Sequence, residues 1–273
     1  MTTVIAPRRK RLVNLRNFPF FTSISYFVFF ILYIPLALVI AYSFNENRTA
    51  QIWTKFSTRW YTDVFHNTDV VRSLKNSLIV GSAATVLSTI LAIAAALGLL
   101  RMGRKGSTFA IGLLGAPLII PEIVSAVGTL GFFLFVGIPL GHFGLILAHT
   151  AFCVPFAMLP IRARLVALDR SSFEAAADLG ANEWKIFTWI TMPLLAPGIM
   201  AGALLAFAIS LDDFITSFFI AGPGSTTLPV YIFGMIRSNV TPAINALSTL
   251  LLLVSGLTLI LSYTLSSRTQ DRK

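Results

Sequence analysis

Charge is what this sequence has least of. Only 12% of its 273 residues are Asp, Glu, Lys or Arg, against 56% hydrophobic, and the mean hydropathy is +0.80. A soluble domain carries about a quarter charged residues, so this chain is read as a polytopic membrane protein. Cysteine is nearly missing as well: Cys153 stands alone, which excludes an intrachain disulfide and a cysteine metal cluster. There is no G-x-x-x-x-G-K-[ST] element, because Gly103 to Thr108 has glycine and lysine at the wrong spacing, so ATP must be hydrolysed elsewhere if it is used. H-E-x-x-H and G-x-S-x-G are lacking, which argues against an intramembrane enzyme. No internal repeat or filter motif is visible, which argues against a self-contained secondary transporter or channel. His142 and His149 lie seven residues apart with no third ligand in phase, so helix-packing hydrogen bonds are expected of them and no metal. The net charge of +10 is attributed to cytoplasmic loops and not to nucleic-acid binding.

What the sequence does have is long apolar runs. Six are long enough to cross a bilayer, at about residues 24–44, 78–100, 109–135, 140–161, 194–220 and 243–265. The first exceeds the apolar core of a cleavable signal and is read as an uncleaved span. The third and fourth share an interval, 106–161, whose one full charge is Glu122, and Gly137, Pro139 and Gly141 mark the turn between them. Leu228 to Ile236 is apolar but too short to cross, so an interfacial or re-entrant helix is expected there. Trp53 and Trp60, in the connection 45–77, read as interfacial anchors, and the many phenylalanines as packing or lipid-facing groups. Six spans put both termini on one side, and the connections on that side hold fifteen Lys and Arg against six on the other. That excess places both termini in the cytoplasm. The expected organisation is a basic segment 1–21, one six-helix membrane domain 22–267 and a tail 268–273.

The stretch 169–193 is too hydrophilic for a span. Ser171 and Glu174 have capping-box spacing, Gly180 can end a short helix in the left-handed region, and Asn182 can cap a second helix. Trp184, Phe187 and Ile190 then fall on one face, and Pro193 ends that helix or opens the next span. The physical form expected is a helix-turn-helix at the cytoplasmic membrane surface, with a plain interfacial loop as the alternative.

Acids within spans are expensive and mark a pathway or a structural pair. Glu122 follows Pro117 and Pro121, where a broken helix would free backbone carbonyls; it is a pathway candidate, with interhelical bonding or the outer interface as alternatives. Asp212 and Asp213 lie near the outer end of the fifth span. Neighbours on a helix are about 100° apart, so one is expected to line the pathway and the other to hold a neighbouring helix. Anionic groups on a wet cavity suit a cationic solute.

Glu174-Ala175-Ala176, three residues, Gly180, nine residues and Ile190-Thr191-Met192-Pro193 resemble the EAA loop of ABC importer permeases, with Met192 where that pattern has Leu. His149, Phe152-Cys153-Val154-Pro155-Phe156, Ser210-Leu211-Asp212-Asp213, Gly222-Pro223-Gly224, Leu228-Pro229 and the run Pro242 to Leu247 are most similar to the spermidine/putrescine permeases. The resemblance implies an all-α membrane protein, six transmembrane helices with a cytoplasmic coupling-helix loop, of the type I importer permease kind. It implies ATPase coupling through Phe173, Glu174, Ala175, Ala176, Gly180, Ile190 and Pro193. It points to a small cationic cargo such as a polyamine, in line with Asp212, Asp213 and Glu122 as the substrate-pathway candidates. An amino acid, a phosphonate, iron or thiamine are the alternative cargoes. The implied partners are two copies of a cytoplasmic ATPase that binds ATP and Mg, a second and similar permease chain, and a periplasmic or extracellular binding protein. The implied setting is the bacterial inner membrane, with no cofactor in this chain.

Overall fold

The computed structural model describes residues 19–47, 52–169, 171–238 and 241–267. Most of the basic segment expected at 1–21 and the whole tail 268–273 lie outside the described residues. No strand forms among the described residues, only a single antiparallel bridge between Asn45 and Phe56. An all-helical chain is what a bilayer demands, since a helix satisfies its own backbone polar groups where no water is present.

The helices are α1 (Pro19–Tyr42), α2 (Arg59–His66), α3 (Thr68–Arg101), α4 (Arg104–Ile119), α5 (Glu122–Val136), α6 (His142–Val166), α7 (Ser171–Asp178), α8 (Glu183–Ile186), α9 (Met192–Asp212), α10 (Ile215–Ile220), α11 (Leu228–Ser238) and α12 (Pro242–Ser267). Among the described residues five helices are long and apolar enough to span a membrane, or six if the bent pair α4 and α5 makes one crossing.

That pair occupies the interval 109–135 and is broken beside Glu122, where Pro117 and Pro121 make a broken helix expected. α4 and α5 meet at 108°, because Pro121 has no N–H to continue the ladder and the residue before it, Ile120, is extended at φ −73°, ψ 134°. The fifth span is altered at both ends. Helix starts at Glu183, well before residue 194, and stops at Asp212, short of residue 220. Beyond an extended Asp213 the chain turns into the six-residue α10.

The core is made by α3, α6 and α9, with α12 laid on α9. Small residues set their spacing. Ala92 and Ala96 of α3, Cys153, Ala157 and Ile161 of α6, and Leu195 and Ala206 of α9 are all buried in one cluster. Gly198 and Gly202 stand four apart on α9 against α6, and a Cβ on Gly202 would lie 2.5 Å from the Ala157 carbonyl oxygen. In lipid there is no hydrophobic drive between helices, so close backbone approach of this kind is what holds them. The Ser262 hydroxyl adds a bond to the Ala201 carbonyl at 2.8 Å, joining α12 to α9.

The connection between α1 and α3 is a built unit. The Trp60 indole N–H donates to the Asn45 carbonyl at 2.7 Å, and the Asn45 amide donates to the Ile52 carbonyl at 2.7 Å. Trp60 is therefore the buried centre of this unit and not the interfacial anchor expected of it; the indole N–H finds its acceptor inside. Trp53 stays half exposed, edge-on to Tyr42. On the same side the Asn76 side chain donates to the carbonyls of Gly224 and Thr226, both at 3.0 Å, and its oxygen lies 2.9 Å from His142 Nε2. His142 is a packing group, as expected.

Candidate coupling surface and membrane cavity

At the end of α6 the chain leaves the apolar core, and the next residues reorganise around backbone groups that need partners. α7 begins at Ser171 itself, whose N–H donates to Asp169 Oδ1 at 3.0 Å. The capping box expected between Ser171 and Glu174 is thus displaced: the acceptor comes from a carboxylate two residues ahead, which the positive end of the helix also favours. Glu174 is exposed and makes no hydrogen bond or ion pair among the described residues, so it is not spent on closing its own helix.

α7 ends as its glycine requires. Gly180 has φ +78°, Ala181 N–H donates to the Ala176 carbonyl at 3.0 Å, and Gly180 N–H donates to Ala177 at 2.9 Å. This pair of bonds is the Schellman closure, which consumes carbonyls the helix end would leave open. Asn182 Oδ1 then accepts from Lys185 N–H at 2.8 Å and starts α8.

The second helix does not end at Pro193. α8 passes into one π-helical turn, Phe187–Thr191, and on into α9 without a break. The wider turn absorbs the proline: Met192 N–H reaches the Phe187 carbonyl, and Thr191 Oγ1 donates to the Ile186 carbonyl at 3.2 Å. The face expected of Trp184, Phe187 and Ile190 is lost with the helical period. Trp184 stands 70% exposed with Phe187 beside it, ring centroids 5.7 Å apart.

These elements frame a groove of about 970 Å³ whose walls include Phe173, Glu174, Ile186 and Phe187, with Leu97 of α3 and Leu165 of α6. Of the seven residues expected at the coupling surface, Phe173 and Glu174 line this groove. Ala175 and Ala176 sit beside them on α7, Gly180 makes the bend, and Ile190 and Pro193 fall in the π turn and α9.

A second, open-sided cavity of about 280 Å³ lies between α5, α6, α9 and α12. Its wall holds Glu122, Asp212 and Asp213, together with Phe152, Phe156 and Ser255. All three acids singled out in the sequence meet here. Glu122 stands in the first turn of α5, created by the break at Pro121, where the helix dipole favours a carboxylate. Asp212 is exposed, while Asp213 is buried and its Oδ1 accepts from Ser217 N–H at 3.0 Å.

The expectation that neighbouring Asp212 and Asp213 could not share a cavity is corrected. The 100° rule holds only inside a helix, and α9 stops at Asp212, leaving Asp213 extended at φ −65°, ψ 112°. Phe152 and Phe156, expected among the packing or lipid-facing phenylalanines, line this cavity with rings 5.4 Å apart. Their i, i+4 spacing on one face of α6 was the available signal. Three carboxylates beside aromatic faces repel one another and attract cations.

A bundle of membrane-crossing helices with an acidic cavity within it and a polar helical bend at one end defines the class: a polytopic transport protein. Residues 88–273 match the family described as binding-protein-dependent transport system inner membrane component, and the chain belongs to that family. The putrescine transport system permease protein PotI of Escherichia coli K12 is 37% identical over 252 residues, covering 90% of each chain. The spermidine/putrescine transport system permease protein PotC of Haemophilus influenzae is 37% identical over 240 residues, covering 88% of this chain and 93% of the other. Among solved structures, a bacterial ABC transporter for the acidic polysaccharide alginate matches with a TM-score of 0.67 at 17% identity, covering 92% of this chain and 94% of that one. The inward-facing MetNI methionine ABC transporter matches with a TM-score of 0.61 at 16% identity, covering 73% and 95%. At these identities the structures speak for the fold alone, which is that of an ABC importer permease. The chain is thus a multi-pass inner-membrane transport subunit and not the ATPase. Permeases of this family work with an ATPase, a second permease and a substrate-binding protein.

Proposed function

We propose that this chain moves an aliphatic polyamine, putrescine or spermidine in type, into the cytoplasm as one of two permease chains in an ABC importer. The reading is supported above all by the convergence of Glu122, Asp212 and Asp213 on one cavity with Phe152 and Phe156. Carboxylates take the ammonium groups of such a cargo, and aromatic faces take both its methylenes and its charge. The names of the relatives, which transport putrescine or spermidine, point the same way.

In this reading Phe173, Glu174, Ala175 and Ala176 dock onto the ATPase, with Gly180 setting the bend and Ile190 and Pro193 joining it to the span. Two ATPase copies bind ATP and Mg, the second permease is a similar but different chain, and both termini lie in the cytoplasm. Residues 22–267 form the single permease domain. Movement of the ATPase is passed through α8 and the π turn straight into α9, whose far end carries the acids.

The test is reconstitution of the complex in proteoliposomes with its binding protein inside or outside and labelled putrescine as cargo. Uptake is expected to need ATP, and replacing all three acids by their amides is expected to reduce it by about tenfold or more. Ion-gradient-driven uptake by this chain alone, or full putrescine uptake by the triple variant, would overturn the reading.

A further inference from the structure

Asp213 has one oxygen satisfied by the protein and one that is not. Its Oδ1 accepts from the Ser217 N–H at 3.0 Å, whereas Oδ2 is buried and meets no hydrogen-bond donor, in a side chain only 1% exposed. A buried carboxylate oxygen without a donor is costly, and Asp213 keeps one while standing among the residues that line the cavity.

What holds the other oxygen in place is found one helix away. His149 of α6 is fully enclosed, 1% exposed, and spans the break between α9 and α10. Its Nδ1 lies 2.8 Å from the Ser210 hydroxyl, before the break, and its Nε2 lies 3.1 Å from the Ser217 hydroxyl, beyond it. A neutral imidazole offers one donor and one acceptor, so either tautomer can make both bonds with rotatable hydroxyls. The ring is thus a strut of fixed length across a point where the backbone ladder is interrupted. Ser217 uses its hydroxyl on His149 and its N–H on Asp213, so the two side chains are linked through a single residue. The His149 Nε2 to Asp213 Oδ1 distance of 4.0 Å is too long for a direct hydrogen bond, so the link runs through Ser217.

We infer that His149 is a positioning residue for transport: through Ser217 it fixes the Asp213 carboxylate at the cavity wall, where its charge is held for an ammonium group of the cargo. The inference rests on the cationic-cargo reading above. Asp212, exposed and at the last turn of α9, contributes charge to the same cavity but is held by no such strut.

The reconstituted complex tests both layers with putrescine as the probe. Asp213→Asn comes first: an unchanged KM for uptake would overturn the inference, while the cationic-cargo reading falls only if the variant lacking all three acids also keeps full uptake. If that variant raises KM, the histidine is probed by two amides, since Gln places its amide near the position of Nε2 and Asn near that of Nδ1. His149→Gln keeps the Ser217 contact and is expected to hold KM within about threefold of the parent, while His149→Asn raises it about tenfold, with Vmax changed by less than about twofold in both. Ser217→Ala, which leaves the backbone N–H in place and removes the strut's far anchor, is expected to raise KM in the same direction without depending on the histidine variants folding. Non-additivity is the further signature: His149→Asn combined with Asp213→Asn adds little to Asp213→Asn alone. Equal effects of Asn and Gln at position 149, or an unchanged KM in Ser217→Ala, would overturn the positioning role and leave the cargo reading standing.

Discussion

Gly202 and Gly128 are the same residue on two membrane helices, and their surroundings predict opposite responses to substitution. A Cβ at Gly202 would lie 2.5 Å from the Ala157 carbonyl oxygen, while at Gly128 nothing comes within 4 Å. Gly202→Val is expected to force α6 and α9 apart at a cost of about 1–3 kcal/mol, lowering the thermal unfolding midpoint in detergent. Gly128→Ala is expected to stay within about 0.5 kcal/mol of the parent in the same assay. Trp60 makes a similar point about tryptophans. Trp60→Phe loses the indole bond to the Asn45 carbonyl and is expected to destabilise the unit between α1 and α3 by about 1 kcal/mol, read by earlier protease cleavage within 45–66. Composition treats Trp53 and Trp60 alike; only the fold of the connection shows that one is enclosed and the other is not. The three acids were legible from their cost in a membrane. Their meeting was not, because it depends on a helix break that separates Asp213 from the geometry of Asp212.

At the scale of elements, α7 and its continuation through α8 carry the coupling reading. Glu174 is exposed beside the groove and is not used to cap α7, so its removal is expected to leave the helix and the membrane insertion intact. Glu174→Ala and Ala176→Trp are each expected to abolish transport-linked ATP hydrolysis in the assembled complex, measured as loss of the stimulation produced by loaded binding protein. Full stimulation in both would count against docking at α7. Gly180→Ala probes the bend itself. The left-handed φ of +78° costs a residue with a Cβ about 1 kcal/mol, so a partial loss of coupling is expected, not a complete one. The motif spacing located this surface and its glycine. It could not show that the second helix is the beginning of the span, because a π turn leaves no mark in hydrophobic period. The proline at 193 read as a boundary, and its missing N–H is instead accommodated by a wider turn backed by Thr191.

For the whole molecule, the outstanding prediction is orientation. Cys153 is buried and is the sole native thiol, so cysteines introduced at Thr3 and at Phe65 can be labelled selectively. A membrane-impermeant maleimide added to intact cells is expected to label Phe65→Cys and to spare Thr3→Cys; the reverse pattern would overturn the assignment drawn from fifteen cations against six. Much at this scale needs only the sequence. Apolar runs of spanning length, scarce charge and a polar interruption determine a helical membrane protein with an exposed polar bend. They do so because the bilayer acts on each segment separately and tests its length and polarity one residue at a time. What the tertiary structure alone decided is which polar groups face each other: Glu122 with Asp212 and Asp213 across a cavity, and His149 between Ser210 and Ser217. Those juxtapositions join α5, α6, α9 and α10, residues about sixty to ninety positions apart, and they hinge on two interrupted helices, at Pro121 and at Asp213. Local patterns record that a helix can break, but the angle it takes afterwards is set by what the neighbouring helices leave room for.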